Sequence, residues 1–390
     1  MSDAKVNFTP APGVLRWARE TAGMSIADVA TRLDVTSQTV VRWESGERPL
    51  SIGRLETLAH LFRRPLAALF LPRPPDVPPL PHDFRVLPRG EKAPLSSAAL
   101  FAIREARRIQ SVARELAADL AQPPATMALP GEGNAEALHL AARERERIGI
   151  AITEQMRWRK PSIALKCWRA ALERLNVLVL QFSMPIQDAR GFSLLDDVAP
   201  AIVLNSQDAP SARVFTLFHE YAHLLRGSSA ICIPDIRTPA APGRETEEAF
   251  CNAFAGAFLV PAEPFGQALG GRALDEHALE QVALEFSVSR HVILHRLRTL
   301  GLLSRAAFES KLADLESQLT EFARPRRAVR ISAAQRCVGM RGQRFVRLVL
   351  EAKARDLITY RDVADYLSLR VQHFDDVEAM VREGEARAGR

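Results

Sequence analysis

The sequence contains no apolar run of about 18 residues or more, so no segment is expected to cross a bilayer as a helix. Its first stretch, MSDAKVNFTPAPG, lacks an apolar signal core, and the chain is expected to stay in the cytoplasm. Cysteine is scarce: Cys167, Cys232, Cys251 and Cys337 are scattered over 390 residues without CxxC or CxH spacing. That excludes a disulfide framework and argues against a cysteine-rich zinc site, leaving buried free thiols as the expectation. A strong charge of one sign is also lacking. The net charge is +6, with +2 over residues 11–71 and +4 over residues 301–390, so the middle is near neutral. This balance permits nucleic-acid binding without demanding it. With 47% hydrophobic and 25% charged residues, wholesale disorder is excluded, and the length suggests two or three domains.

What the sequence does have is a proline-rich divider. Eight of its 25 prolines fall between Pro72 and Pro94, a stretch that cannot hold a helix and should run extended. The expected segments are a helical head (11–71), this linker (72–96), a body (97–302, core about 160–302) and a helical C-terminal region (303–390). Ser97–Leu120 has helical spacing of Leu100, Ile103, Ala106, Ile109, Val112 and Leu116. Residues 135–149 and 161–175 look helical as well. Asn176–Phe182 and Ala201–Leu204 are β-branched apolar runs, and the Gly191-Phe-Ser-Leu-Leu stretch between them could add a strand. Helical patterning resumes at Ala212. The fold class expected is mainly α with a small central β-sheet, an α+β chain.

In the head, Ser25 can cap a helix running to Leu33, Asp34-Val35-Thr36 makes a tight turn, and Thr36 caps a second helix ending near Gly46. Two short helices joined in this way have the helix-turn-helix geometry. The segment SIADVATRLDVTSQTVVRWESGERPLS resembles the XRE/Cro-like repressor family, through Ala30, Leu33, Val35, Ser37, Val40, Trp43, Glu44, Gly46 and Pro49. The resemblance implies that Ser37, Gln38 and Arg42 face the bases of double-stranded DNA, with Thr36 and Thr39 near phosphate. Gln can pair bidentate with adenine and Arg with guanine. It also implies a core pair between Arg19 and Glu44. Two positions depart from the family: Ile26 stands where Gln is frequent, and Asp34 where Gly is usual.

The strongest chemical signal is Phe215-Thr-Leu-Phe-His-Glu-Tyr-Ala-His-Leu-Leu225. His219 and His223, four apart, project from one helix face and can share a metal, while Glu220 between them can reach a metal-activated water. Catalytic zinc takes three protein ligands. The third is expected from ETEEAFCNAFAGAFLVP, where Glu245, Glu247 and Glu248 are candidates. Glu248 lies one turn before Asn252, so both face the same way. This resembles the third-ligand element of HExxH-plus-glutamate zinc peptidases, which implies Glu248, with Glu247 the alternative. Tyr221 points away from the ligand pair, and His277, His291 and His295 remain open as oxyanion donors.

Together with GFSLLDDVAPAIVLN and FSVSRHVILHRLRTLGLLS, these segments resemble the ImmA/IrrE family of metallopeptidases over about residues 160–302. The linker PPLPHDFR and the tail GQRFVRLVLEAKARDLITYRDVADYLSLR resemble parts of fusions between such a body and an XRE head. The resemblance implies a zincin-like peptidase fold holding one Zn2+ per chain and a protein substrate, such as a repressor cleaved under stress or during mobile-element induction. A homodimer reading two DNA half-sites is expected, with no membrane role. Two rival readings stand beside it: a non-enzymatic transcription factor whose body senses a ligand, and an antitoxin-like partner protein. Elsewhere the reading is plainer. Arg324, Arg326, Arg327 and Arg330 suggest a solvated linker, Ser287–Leu302 either a second helix-turn-helix-like unit or peptidase core, and the Phe250/Phe254/Phe258 stripe a core face.

Overall fold

The computed structural model describes residues 7–76, 78–83, 94–123, 134–232, 245–272, 274–321 and 331–388. They fall into two compact units: residues 1–80 with 93–105, and residues 81–92 with 106–390. These units do not coincide with the segments drawn from the sequence. The start of the helix at Ser97 groups with the head because Phe101 is buried in the head's core, where Arg63 and Arg104 lie over its ring. Arg104 also donates to the carbonyls of Phe62 and Arg63. The C-terminal region groups with the second unit. The cluster Arg324, Arg326, Arg327 and Arg330 lies outside the described residues. Among the described residues, no helix is long and apolar enough to cross a membrane.

The first unit contains β1 (Asn7–Phe8), α1 (Val14–Glu20), α2 (Ile26–Leu33), α3 (Ser37–Glu44), β2 (Leu50–Ser51), which pairs antiparallel with β1, and α4 (Ile52–Leu61). Ser25 and Asp28 form a reciprocal capping box at the start of α2. Asp34 ends α2 in the left-handed region at φ 52°, doing the work of the glycine usual there, because a short polar side chain tolerates that conformation. Thr36 caps α3 through the Thr39 N–H at 3.3 Å. Val40 and Trp43 turn inward against Leu15, Ala18 and Val29. Beneath them Arg19 and Glu44, both buried, form the expected pair: Nε to Oε1 at 2.6 Å and Nη2 to Oε2 at 3.1 Å. The remaining Arg19 Nη1 donates to the Met24 carbonyl at 2.9 Å.

The second unit is mainly α around one mixed sheet. Its elements are β3 (His82–Asp83), α5 (Ser97–Asp119, shared with the first unit), α6 (Asn134–Ile148), α7 (Ile152–Trp158), α8 (Pro161–Arg174), β4 (Leu178–Phe182), β5 (Gly191–Leu194), β6 (Ala201–Asn205), α9 (Pro210–Leu225), β7 (Ala230–Cys232) and α10 (Glu245–Leu259). They continue with α11 (Ala262–Leu269), α12 (Glu276–Glu285), α13 (Arg290–Thr299), α14 (Arg305–Glu321), α15 (Ala333–Arg341), α16 (Gln343–Ala354), α17 (Tyr360–Leu367) and α18 (Phe374–Ala388). The strand order is β3-β7-β5-β6-β4. β4 runs parallel to β6 and β3 to β7, while β5 is antiparallel to both of its neighbours. β4 begins at Leu178 rather than at Asn176, because Asn176 sits at φ 68° closing the preceding helix. β3 and β7 escaped the sequence reading, being only two and three residues long.

Helix α9 is buried from Val214 to Leu225. It can lie so close to the sheet because β5 opens with Gly191. A Cβ there would sit 2.5 Å from Thr216 Cγ2, 2.9 Å from the Val203 carbonyl oxygen and 3.4 Å from Glu220 Cγ. On its other side α9 meets α8 and α10 through Trp168, Phe218, Phe254 and Phe258, with the Phe218 and Phe258 rings stacked at 4.0 Å. The phenylalanine stripe is therefore core. The C-terminal carbonyls of α10, which no intrahelical N–H can satisfy, are held by side chains from three other helices. Arg145 donates to Phe258 at 2.7 Å, Gln155 to Leu259 at 2.8 Å, and Arg296 to Val260 at 2.8 Å. This pins α10 along its axis. Helix α13 buries Val292, Ile293, Leu294 and Leu297 in the same core, so Ser287–Leu302 is part of the body's packing.

β4 ends the sheet, and an end strand carries unpaired backbone groups. Here α15 packs on it. Arg169 bridges the carbonyls of Val179 in β4 and Gly339 in α15, and Gln181 of β4 donates to Gly339 at 2.8 Å. Next to this seam the buried Glu173 of α8 accepts backbone hydrogen bonds from Gln343 and Arg344 at the start of α16. Gly342, at φ 78°, lies so close that a Cβ there would meet Glu173 Oε1 at 2.3 Å.

Candidate metal centre and DNA interface

About three turns of buried helix carry His219, Glu220 and His223, none of which has exposed surface. Each imidazole is gripped through Nδ1. His219 Nδ1 is 3.0 Å from Asn252 Oδ1, and His223 Nδ1 is 3.2 Å from Glu247 Oε1, which Ser228 Oγ holds in turn at 2.7 Å. Both Nε2 atoms are thereby directed inward toward Glu248. Its Oε1 lies 3.1 Å from His223 Nε2 and its Oε2 3.4 Å from His219 Nε2. Outer partners that fix the ring and its tautomer in this way are the rule around metal-ligating histidines.

The sequence-based candidates separate cleanly. Glu248 joins the two histidines; Glu247 lies behind His223 as an orienting partner; of the Glu245 side chain nothing is described. Asn252 reaches the same site one turn on, but as the partner of His219. Cys232 was missed. It ends β7, and its Sγ lies 3.3 Å from His223 Nε2 and 3.6 Å from Glu248 Oε1. Donor atoms of His219, His223, Cys232 and Glu248 all lie within 4.8 Å of one another. The donor set is not cysteine-rich, and among the described residues all four cysteines are free thiols, three of them buried; Cys232 carries no CxxC spacing because it arrives alone on a strand. The only local signal was the short apolar run Ala230-Ile-Cys-Ile233 beyond the Gly227 turn.

Does this set suit a metal ion? The nitrogen, oxygen and sulfur donors are those zinc takes. Among the described residues, His219 Nε2 and the carboxylate oxygens of Glu220 are buried with no hydrogen bond of good geometry, although Ser193 lies beside Glu220. Such burial is costly unless something else meets these atoms. The protonation preferences point the same way. Burial works to raise the Glu248 carboxyl, yet the imidazoles of His219 and His223 outweigh it and hold the group well below the usual carboxylate range. Burial works to lower His223, yet the thiols of Cys251 and Cys232 prevail and raise it. Burial pushes the Glu220 carboxyl up, opposed by His223 and His219. The residues fit a divalent ion.

Tyr221 points to the far side of α9, where its hydroxyl bonds Glu144 at 2.8 Å and Arg147. His277, His291 and His295 lie outside the converging donors. His277 is exposed, and burial lowers His295 to about 4.

In the head, Thr36, Ser37, Gln38 and Arg42 are exposed and Thr39 is half-buried, while Val40 and Trp43 of α3 are buried. Beside them a depression is lined by Thr36, Thr39, Trp43, Arg48, Ser51 and Arg54. Arg54 lies over the Trp43 ring at 5.8 Å and reaches the Leu33 carbonyl at 3.5 Å. Two guanidinium groups and two helix N-caps therefore meet at one concavity.

Comparison with known proteins follows this division. Residues 172–298 match the M78 peptidase profile, described as the IrrE N-terminal-like domain. Residues 15–69 match the helix-turn-helix profile. No curated protein matches the chain. The chain therefore joins a segment similar to XRE-type helix-turn-helix domains to one similar to the IrrE/ImmA-like M78 peptidases.

Proposed function

We propose that the chain is a DNA-binding regulator whose second unit is a zinc-dependent endopeptidase acting on a regulatory protein. The observation that carries the enzymatic half is the convergence of His219 Nε2, His223 Nε2 and Glu248 beside a buried Glu220. His219, His223 and Glu248 would hold the ion. When bound, zinc supplies Lewis acidity toward a peptide carbonyl and toward water. Glu220 accepts the proton from the attacking water and returns it to the leaving amine, and its raised affinity for protons suits that exchange. Asn252 and Glu247 keep the two rings in place during the cycle.

On the head, Gln38, Ser37 and Arg42 read base edges, while Thr36 and Thr39 approach the backbone. A surplus of +2 over residues 11–71 gives a single head little non-specific affinity. A homodimer spanning two half-sites about one helical turn apart supplies the rest. The peptidase reading is tested by labelling new protein N-termini in cells carrying the wild type or Glu220→Gln, under both resting and stress conditions. Gln is nearly isosteric but cannot take the proton, so zinc should stay bound while cleavage falls by at least ~10²-fold. Identical sets of new N-termini in the two strains, with zinc present in both proteins, would remove the enzymatic half.

A further inference from the structure

A catalytic zinc site keeps one position for water, whereas a site with four protein ligands is closed. The fourth donor beside His219, His223 and Glu248 is the thiol of Cys232. Its orientation follows from sheet register. Cys232 is paired directly with Gly191 across the antiparallel β5–β7 ladder, and directly opposed residues project from the same face. The missing Cβ of Gly191 would point at Thr216 and Glu220 on α9, so Cys232 projects toward α9 as well, into space the glycine leaves open.

The distances have a recognisable pattern. For zinc bonds of roughly 2.0–2.3 Å, neighbouring ligand atoms of a tetrahedron stand roughly 3.3–3.7 Å apart. His223 Nε2, Glu248 Oε1 and Cys232 Sγ are separated by 3.1, 3.3 and 3.6 Å, one triangular face of such a figure. The unpartnered Nε2 of His219 faces the same set. Cys251, also buried next to His223, is not among the four converging donors.

We propose that Cys232 is the fourth protein ligand of the resting centre, its thiolate filling the place water must take, so that the peptidase is latent as folded and opens when this one strand residue withdraws. The inference rests on the zinc-peptidase reading above. On ligation the thiol gives up its proton to solvent and the sulfur lone pair forms the bond. A three-residue strand at the outer part of the sheet is a suitable carrier for such a ligand. The other three ligands come from α9 and α10.

The test is spectroscopic. The full-length protein is stripped with chelator and loaded with Co2+, whose bond to a thiolate gives a near-ultraviolet charge-transfer band. The wild type should show that band; Cys232→Ser should lose it and bind Zn2+ at least ~10-fold more weakly, since even outer partners are worth that much. Cys251→Ser should keep the band. X-ray absorption at the zinc edge of the wild type should find one sulfur at about 2.3 Å and three lighter neighbours. Bound Co2+ without the band, or a band lost in Cys251→Ser and kept in Cys232→Ser, would overturn the assignment while leaving the zinc site standing. A fifth, oxygen neighbour at the zinc edge would overturn the closed state. Failure of the wild type to bind either metal would remove this inference and the peptidase reading together.

Discussion

The head and the metal centre place their polar side chains in opposite ways. On α3 the side chains with chemistry to offer are exposed, and their stiffness comes from what lies beneath: Val40, Trp43 and the Arg19–Glu44 pair. In the second unit the chemistry is itself the interior. His219, Glu220 and His223 have no exposed surface, and among the described residues neither Glu220 oxygen makes a hydrogen bond of good geometry. A surface reader can exchange one contact residue without harming its scaffold. A buried centre cannot, because each member is a charge or dipole whose cost the others offset.

The sharpest way to break this contrast is His223→Ala. The ligands that remain, His219, Glu248 and the proposed Cys232, cannot hold the ion as tightly, so zinc measured in the purified protein should fall from about one per chain to a small fraction of that. Arg42→Ala should leave zinc untouched. Next in size is Glu44→Ala, which strands the Arg19 guanidinium in the head's core. Breaking a buried pair from one side costs about 3–5 kcal/mol, to be read as an earlier urea midpoint for the head. A loss below 1 kcal/mol would mean that solvent or Glu20, 3.3 Å away, takes over the charge.

Glu173 sharpens the comparison from a different side, as a buried carboxyl far from any metal ligand in sequence. Burial, only partly offset by Arg169 and Arg347, raises it to about 7. The folded chain therefore keeps the Glu173 proton up to about pH 7, whereas the unfolded chain gives it up near pH 4.5. Stability falls as pH rises through that window and levels off above it, by on the order of 3 kcal/mol in all. Glu173→Gln should flatten this slope, matching the wild type near pH 4.5 and exceeding it at pH 8 in thermal melts. A slope that persists in the variant would assign it to other groups.

The smallest effects belong to the reading face. Gln38→Ala or Arg42→Ala should cost about 1–3 kcal/mol on the operator and little on unrelated DNA. Arg54→Ala should weaken all sequences alike and reduce the salt slope by about one. Titrations on selected and scrambled duplexes at two salt concentrations separate the two patterns. If Gln38→Ala weakened both duplexes equally, α3 would be touching phosphate rather than bases.

Legibility follows the same contrast. The head could be read closely because its determinants are local: Ser25 with Asp28, Thr36 with Thr39, and a core stripe at helical spacing all lie within a few residues. His219, His223 and the Glu248/Asn252 turn were legible for the same reason, as single-helix patterns. What the sequence hid was whatever depends on pairing across the sheet. β3 and β7 are too short to show alternation, and Cys232 acquires its neighbours only when β7 docks against β5 at Gly191. The roles of Glu247 and Asn252 were likewise invisible as roles. Both residues were singled out, but which one approaches the metal position depends on how α10 is rotated against α9, and that is fixed at its far end by Arg145, Gln155 and Arg296.

The seam between β4 and α15 bears on the outer edge of the sheet. A β-strand whose outer edge is bare invites another molecule to pair with it. In this protein the edge is stopped from within by residues more than 150 positions later in the chain, through Gly339 and its bonds to Arg169 and Gln181. Removing residues 303–390 should therefore bare the outer edge of β4 and favour self-association, unless β4 is blunted with a proline or a charge.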